Sequence, residues 1–126
     1  MGMYTELHYN VELRRDIPQQ VIDVLEFMLD NDLPQPELPE HTLFKTHRWP
    51  VMLRMSSAYF EAPTRSELIT EPAHRTLSVR CNLKNYDGEI EAFVDWMNPY
   101  VAAFKGDFLG FSRYEETEDP TIIRKL

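Results

Sequence analysis

The sequence predicts one α+β domain over residues 1–126, with the element order β-α-β-β-α-β. Two segments, 7–28 and 77–97, share one pattern, which is an alternating strand, a short polar turn and an amphipathic helix that ends close to an aromatic residue and a methionine. Each helix is followed by another alternating segment, so each half of the chain has a strand-helix-strand order. The length of 126 residues and the hydrophobic content of 43% suffice for one buried core.

The first strand is predicted at about Tyr4–Arg14, where apolar and polar residues alternate. Asp16 is the expected N-cap of a helix over about Ile17–Asp30. Pro18 near the first helical position and Gln19 three residues after the cap are typical of a helix start. The apolar stripe of this helix consists of Val21, Ile22, Leu25, Met28 and Leu29.

A proline-rich insertion is predicted at 31–50, with one helical turn at Glu40–Phe44. Its prolines exclude a long helix or an interior strand, and they are Pro34, Pro36, Pro39 and Pro50. Connections of this length in compact domains are usually functional. The alternation over Val51–Phe60 predicts the second strand, and a polar loop follows over 61–74.

The second half of the chain repeats the strand and helix pattern of the first. The third strand is predicted at Arg75–Lys84, and Asp87 is the expected cap of the second helix. Asn98-Pro99 restarts a helical turn that reaches Phe104 and ends at Lys105-Gly106-Asp107. The fourth strand is predicted at Phe108–Tyr114, and a short fifth strand at Thr121–Lys125 follows an acidic turn, so that 115–126 form the tail.

This element order resembles the ferredoxin-like fold, at the level of topology and over nearly the whole chain. The resemblance implies one antiparallel sheet of strand order 4-1-3-2, with both helices on one face. It implies no activity, because such a fold hosts many unrelated functions.

The charge of the chain disfavours binding to nucleic acids. There are 21 acidic and 13 basic residues, and the net charge of −8 repels a phosphate backbone. The acidic residues are dispersed except for a run near the end, which consists of Glu115, Glu116, Glu118 and Asp119. A solvated charge run is the ordinary interpretation, and an acidic mimic of nucleic acid or an inhibitor of another protein is a further alternative.

The sequence predicts a cytoplasmic protein without membrane segments. Cys81 is the single cysteine, and its phase in the third strand points it inward, which suits a reducing compartment and an inert thiol. There is no apolar run of signal-peptide or membrane-spanning length. The start Met1-Gly2-Met3 is not a myristoylation signal, because Glu6 occupies the position that requires Ser or Thr.

In the predicted topology the first and third strands are neighbours, so their polar residues share the sheet face opposite the helices, here called the open face. These residues are His8, Asn10, Glu12, Ser78, Arg80 and Asn82. Arg54 and Ser56 are expected to join from the second strand, and Arg113 from the fourth. Guanidinium groups beside an imidazole suit a carboxylate or a phosphate. The alternative is that Glu12 pairs with Arg80 and the face is solvated or packs against a second copy.

The predicted ligand-binding residues are His8, Glu12, Arg54, Arg80, Arg113 and Trp49. Trp49 belongs to this set because the aromatic residues of the insertion would line a pocket or cover the open face. The alternative is that they anchor a long loop. His41 and His47 match no zinc pattern, and neither a metal nor a cofactor is predicted.

The sequence contains no nucleophile motif and no glycine-rich phosphate loop, so no catalytic residue is assigned. The predicted function is a small binding protein that forms a homodimer or binds a protein partner. The alternative is an enzyme or sensor that binds a small anionic ligand on the open face. In that case the 31–50 insertion is the lid, His8 the acid or base, and Arg80 the group that positions the anion.

Overall fold

The computed structural model describes residues 3–58 and 60–126. They form a five-stranded antiparallel sheet and two α-helices, which confirms the predicted α+β class. Met1, Gly2 and Tyr59 lie outside the described residues, and with them the first residues of the excluded myristoylation signal and one residue of the predicted strand at Val51–Phe60. None of the described helices has the length and apolar character needed to cross a membrane.

The elements follow the chain in alternating groups. The strands are β1 (Thr5–Glu12), β2 (Arg65–Glu71), β3 (His74–Leu83), β4 (Phe108–Tyr114) and β5 (Thr121–Arg124). The α-helices are α1 (Gln19–Leu29) and α2 (Glu89–Met97), and short 3-10 helices lie at Thr42–Lys45, Met52–Arg54 and Asn98–Tyr100. The order across the sheet is β2-β3-β1-β4-β5, and every neighbouring pair is antiparallel.

The prediction of a strand over Val51–Phe60 is wrong. Met52–Arg54 form a 3-10 turn, and the side chains of Met52 and Leu53 are fully buried. The apolar residues of this segment therefore anchor a turn to the core. The second strand is Arg65–Glu71, inside the predicted polar loop. It lies at the edge of the sheet and is largely exposed, and its only apolar residues, Leu68 and Ile69, are adjacent and do not alternate, so the sequence pattern does not predict a strand.

Both predicted helix caps are also wrong. Pro18 occupies the N-cap position of α1 without a side-chain hydrogen bond, and Asp16 instead pairs with Arg14 at 2.9 Å between Oδ1 and Nε. At α2 the N-cap is Gly88, whose φ of 73° is in the left-handed region that favours glycine. Asn85 Oδ1 accepts a hydrogen bond from the Ile90 amide at 2.8 Å, so an earlier residue satisfies the helix start.

The core lies between one face of the sheet and the two helices. Leu7, Tyr9 and Val11 supply the inward side of β1, and the rings of Tyr9 and Phe93 of α2 meet at 5.7 Å. Cys81 is fully buried in this core, as its phase in the strand predicts. Burial raises the pKa of its thiol to about 12, so the group stays protonated and unreactive.

The 31–50 insertion packs on the helix side of the sheet. Trp49 is 5% exposed, and its ring lies 5.9 Å from that of Phe27 in α1. The ring of Phe44 packs edge-on against Trp49 at 4.9 Å and against Trp96 of α2 at 5.3 Å. The insertion therefore bridges the two helices, and the expectation that it forms a lid over the open face is wrong.

Candidate functional site

One row of side chains crosses four strands on the open face. Arg65 of β2 is the direct partner of Arg80 of β3, Arg80 is the partner of His8 of β1, and His8 is the partner of Phe111 of β4. Direct cross-strand partners have their Cβ atoms about 5 Å apart. The sheet thus places two guanidiniums and an imidazole side by side.

A cleft of about 320 Å³ opens over this row. His8, Arg65 and Arg80 line it from the sheet, and Ala62 and Pro63 line it from the loop that precedes β2. The same loop reaches across the open face, because the Phe60 ring lies 5.4 Å from the guanidinium of Arg113 in β4. The loop before β2 thus covers the position that the sequence assigns to the insertion.

Asn82 holds the guanidinium of Arg80 in place. Arg80 NH1 donates a hydrogen bond to Asn82 Oδ1 at 2.9 Å, and Asn82 is only 1% exposed. Within residues 3–58 and 60–126, Arg80 Nε and Asn82 Nδ2 are buried and find no acceptor. A buried donor without a partner costs about 1–3 kcal/mol. The site therefore combines a fixed guanidinium with an unsatisfied N–H group.

The cleft has a positive charge in an acidic protein. Like charges that are direct cross-strand partners destabilise a sheet, and Arg65 and Arg80 are such a pair. The Glu67 carboxylate lies 3.9 Å from Arg65 NH2, but both side chains are more than half exposed, so the ion pair is weak. The positive potential at Arg80 is therefore only partly compensated, although the chain as a whole carries −8.

Glu6 joins His8 to Arg113. The Glu6 side chain is buried, with His8 Nε2 at 2.8 Å from its Oε1 and Arg113 NH2 at 2.7 Å from its Oε2. The His8 ring also stacks on Phe111, with 4.3 Å between the centroids and 15° between the planes. His8 is consequently fixed in orientation beside Arg80, whereas Arg113 is occupied by an internal carboxylate.

Three of the predicted ligand-binding residues thus share this region. His8 and Arg80 are adjacent, and Arg113 is linked to them through Glu6. Glu12 lies at the end of β1 as the partner of Thr76, four residues from His8 and about 13 Å along the strand. The alternative in which Glu12 pairs with Arg80 is therefore ruled out.

The other two predicted residues lie away from the cleft. Arg54 donates from Nε to the Met28 carbonyl at 3.2 Å and from NH2 to Asn31 Oδ1, so it binds the end of α1. The expectation that Arg54 lies on the open face depends on the phase of a strand that does not form, and it is wrong. Trp49 belongs to the core beside Phe27, which matches the anchoring alternative.

Two members of the site, Arg65 and Glu6, do not follow from the sequence pattern. Arg65 and Glu67 alternate with Ser66 and Leu68, but Pro63 and Pro72 bound this segment and favour a loop. Glu6 has the same phase as His8 in β1, but the strand pattern does not show that it bridges His8 and Arg113. Only the register between β1 and β4, which opposes Glu6 to Arg113, reveals that role.

Comparison of the chain with protein-family models, curated proteins and solved structures gives no match.

Proposed function

We propose that this chain is a small cytoplasmic binding protein of ferredoxin-like topology, which binds a small carboxylate or phosphate in the open-face cleft. The strand order β4-β1-β3-β2, with β5 added outside β4, supports the topology. The fully buried single cysteine supports a reducing compartment. The observation that carries the ligand class is the placement of Arg65 and Arg80 as direct partners at the cleft.

An anion between the two guanidiniums offsets their repulsion. Arg80 is already oriented by Asn82, so little side-chain entropy is lost when its planar fork accepts a carboxylate or phosphate. The buried Nε of Arg80 gains the acceptor that it lacks among the described residues. His8, held by Glu6 and Phe111, provides a further polar group at the next position of the row. The cleft of about 320 Å³ limits the ligand to a small molecule.

The proposal is tested by calorimetric titration of the full chain with sodium succinate and with inorganic phosphate at low ionic strength. Arg80→Lys keeps the charge and removes the bidentate fork, so we expect binding to weaken by about tenfold or more. Arg15→Lys is the matched control, because Arg15 is exposed and outside the cleft. Equal affinities of Arg80→Lys and wild type, or no saturable binding of either anion, would overturn the proposal.

A second candidate function, self-association, is favoured by the edge strand β5 and the exposed aromatic residues near it. This strand is last in the sheet, and the side chains of Phe104 and Phe108 near it are exposed, the former to 84%. Unpaired edge strands readily pair with another chain, and two copies of β5 related by a two-fold axis would extend the sheet.

Light scattering after size exclusion tests the self-association. We expect a dimer of the wild type at micromolar concentration, and a monomer for Ile122→Lys, because a charge on the edge strand β5 blocks pairing with a second copy. Ile122 is 45% exposed, so the substitution should leave the monomer folded. A wild type that stays monomeric at all concentrations excludes this second function and leaves the anion site unaffected.

A further inference from the structure

A second cleft, of about 310 Å³, lies on the other side of the sheet, near the start of β1. Ser112 lines it, and Ser112 is the direct partner of Leu7, whose side chain is buried in the core. The cleft is therefore on the helix side, separated by the sheet from the open face. It is lined by hydroxyl groups, by two tyrosine rings and by two carboxylates.

The charge of this cleft is negative. Glu91 and Asp119 line it, and its described lining contains no lysine, arginine or histidine. Desolvation together with Glu116 and Glu115 raises the pKa of the Tyr114 hydroxyl, in agreement with a negative potential at this position. The acidic run near the end of the chain is thus next to a concave surface and not only a solvated tail.

Two further observations indicate that a cation is the complementary ligand. Thr5 lines the cleft although it is only 9% exposed, and its hydroxyl forms no side-chain hydrogen bond with the described residues. The Tyr86 ring already attracts a cation, since the guanidinium of Arg48 lies 5.1 Å from its centroid. The Arg48 guanidinium already occupies this ring, so an N–H donor in the cleft can reach the Thr5 hydroxyl and the carboxylates of Glu91 and Asp119.

The acidic cleft continues into an apolar groove between α2 and β5. This groove has a volume of about 360 Å³, and Glu91, Ser112 and Thr121 line both cavities. Apolar residues line the groove from the helix and from the end of the chain, and they include Ile90, Val94, Ile123 and Leu126. A ligand that extends from one cavity into the other needs a charged end and an apolar chain.

We propose that the cleft and the groove together bind an alkylammonium group, that is, a primary amine with a short apolar chain. Glu91 and Asp119 attract the ammonium, which donates its three N–H groups to carboxylate and hydroxyl oxygens such as that of Thr5. The chain lies in the groove, where each methylene removed from water strengthens binding. A neutral alcohol lacks the charge, and a carboxylate is repelled.

The experiment is an NMR titration of the full ¹⁵N-labelled chain with ethyl-, propyl-, butyl- and hexylammonium chloride at constant ionic strength. Each amine is compared with the alcohol of the same chain length. We expect saturable shifts at the amides of residues that line the two cavities, and affinity that rises by about threefold per methylene. We expect no saturable binding of the alcohols in the same concentration range.

Two variants separate the parts of the site. The double variant Glu91→Gln, Asp119→Asn should bind every amine about tenfold more weakly, while the dependence of the affinity on chain length remains. Val94→Thr, a partly exposed position of α2 that lines the groove, keeps the shape of the side chain and should reduce the gain per methylene while ethylammonium binding stays unchanged. Glu37→Gln is the control, because Glu37 is exposed and lines neither cavity.

Three results would overturn the inference. Alcohols that bind as tightly as amines would show an apolar groove without an ammonium site. Amine binding that is independent of chain length would show only counterion attraction. A double variant with wild-type affinity would show that Glu91 and Asp119 do not hold the ammonium. None of these results depends on the anion site, which lies on the opposite face of the sheet.

Discussion

Gly110→Ala is expected to lower the free energy of unfolding by about 3 kcal/mol or more. A Cβ atom at this position of β4 would lie 1.9 Å from the carbonyl oxygen of His8, 2.8 Å from its carbonyl carbon and 2.9 Å from Tyr9 Cα. All three are backbone atoms of β1, so no side-chain rotation relieves the clash. β1 and β4 must separate, and the ladder between two interior strands of the sheet is weakened.

The effect is measured by urea unfolding, with the fluorescence of the two buried tryptophans as the signal. Ser112→Ala is the matched control on the same strand, because it removes only a partly exposed hydroxyl, and we expect a change within about 0.5 kcal/mol. A Gly110→Ala protein with the wild-type midpoint would contradict the close approach of β1 and β4. Since His8 belongs to the same stretch of β1, loss of anion binding should accompany the loss of stability.

Trp49→Ala is expected to lower the free energy of unfolding by about 3–5 kcal/mol. The Trp49 side chain is almost fully buried and packs against Phe27 of α1 and Phe44 of the insertion. Its removal leaves a cavity and breaks the ring contact between the insertion and α1, whereas the contact of Phe44 with Trp96 of α2 remains. Phe104→Ala is the matched control, because an exposed ring should change the stability by no more than about 0.5 kcal/mol.

A second substitution of Trp49 distinguishes the two roles that the sequence suggests for it, ligand binding and anchoring of the insertion. Trp49→Phe keeps an aromatic ring and should remain folded, and we expect it to bind succinate as the wild type does, since Trp49 lies outside the open-face cleft. Stable folding with lost anion binding would instead make Trp49 a ligand-binding residue. Far-UV circular dichroism distinguishes this result from unfolding.

The sequence predicts those parts of the fold in which a residue pattern is compatible with a single backbone conformation. β1 and β3 alternate strictly because one face is buried and the other is not, and this alternation placed His8 and Arg80 on the same face. The pattern failed at Met52 and Leu53, whose burial comes from a 3-10 turn that packs on the core. Apolar residues show that a segment is buried, but over so few residues they do not fix its backbone conformation.

The segment that covers the open face was not predictable from local pattern. The insertion contains Phe44 and Trp49, and only the packing of these rings against α1 and α2 decides on which side of the sheet it lies. The loop before β2 has few apolar residues and carries Ala62 and Pro63 to the cleft. Likewise, the pairing of Arg65 with Arg80 depends on the register of an edge strand that polar sequence does not reveal.

The like-charge pair at the cleft also has a consequence for local order. Among the strands of the described residues β2 pairs only with β3, and Arg65 and Arg80 repel each other across this pair of strands. The edge strand β2, which forms one wall of the cleft, is therefore the strand of the sheet most prone to fraying. Its backbone amides should exchange with solvent early. An anion bound between Arg65 and Arg80 would offset their repulsion and hold β2 to β3. The amide exchange of β2 should therefore become slower as the anion site fills.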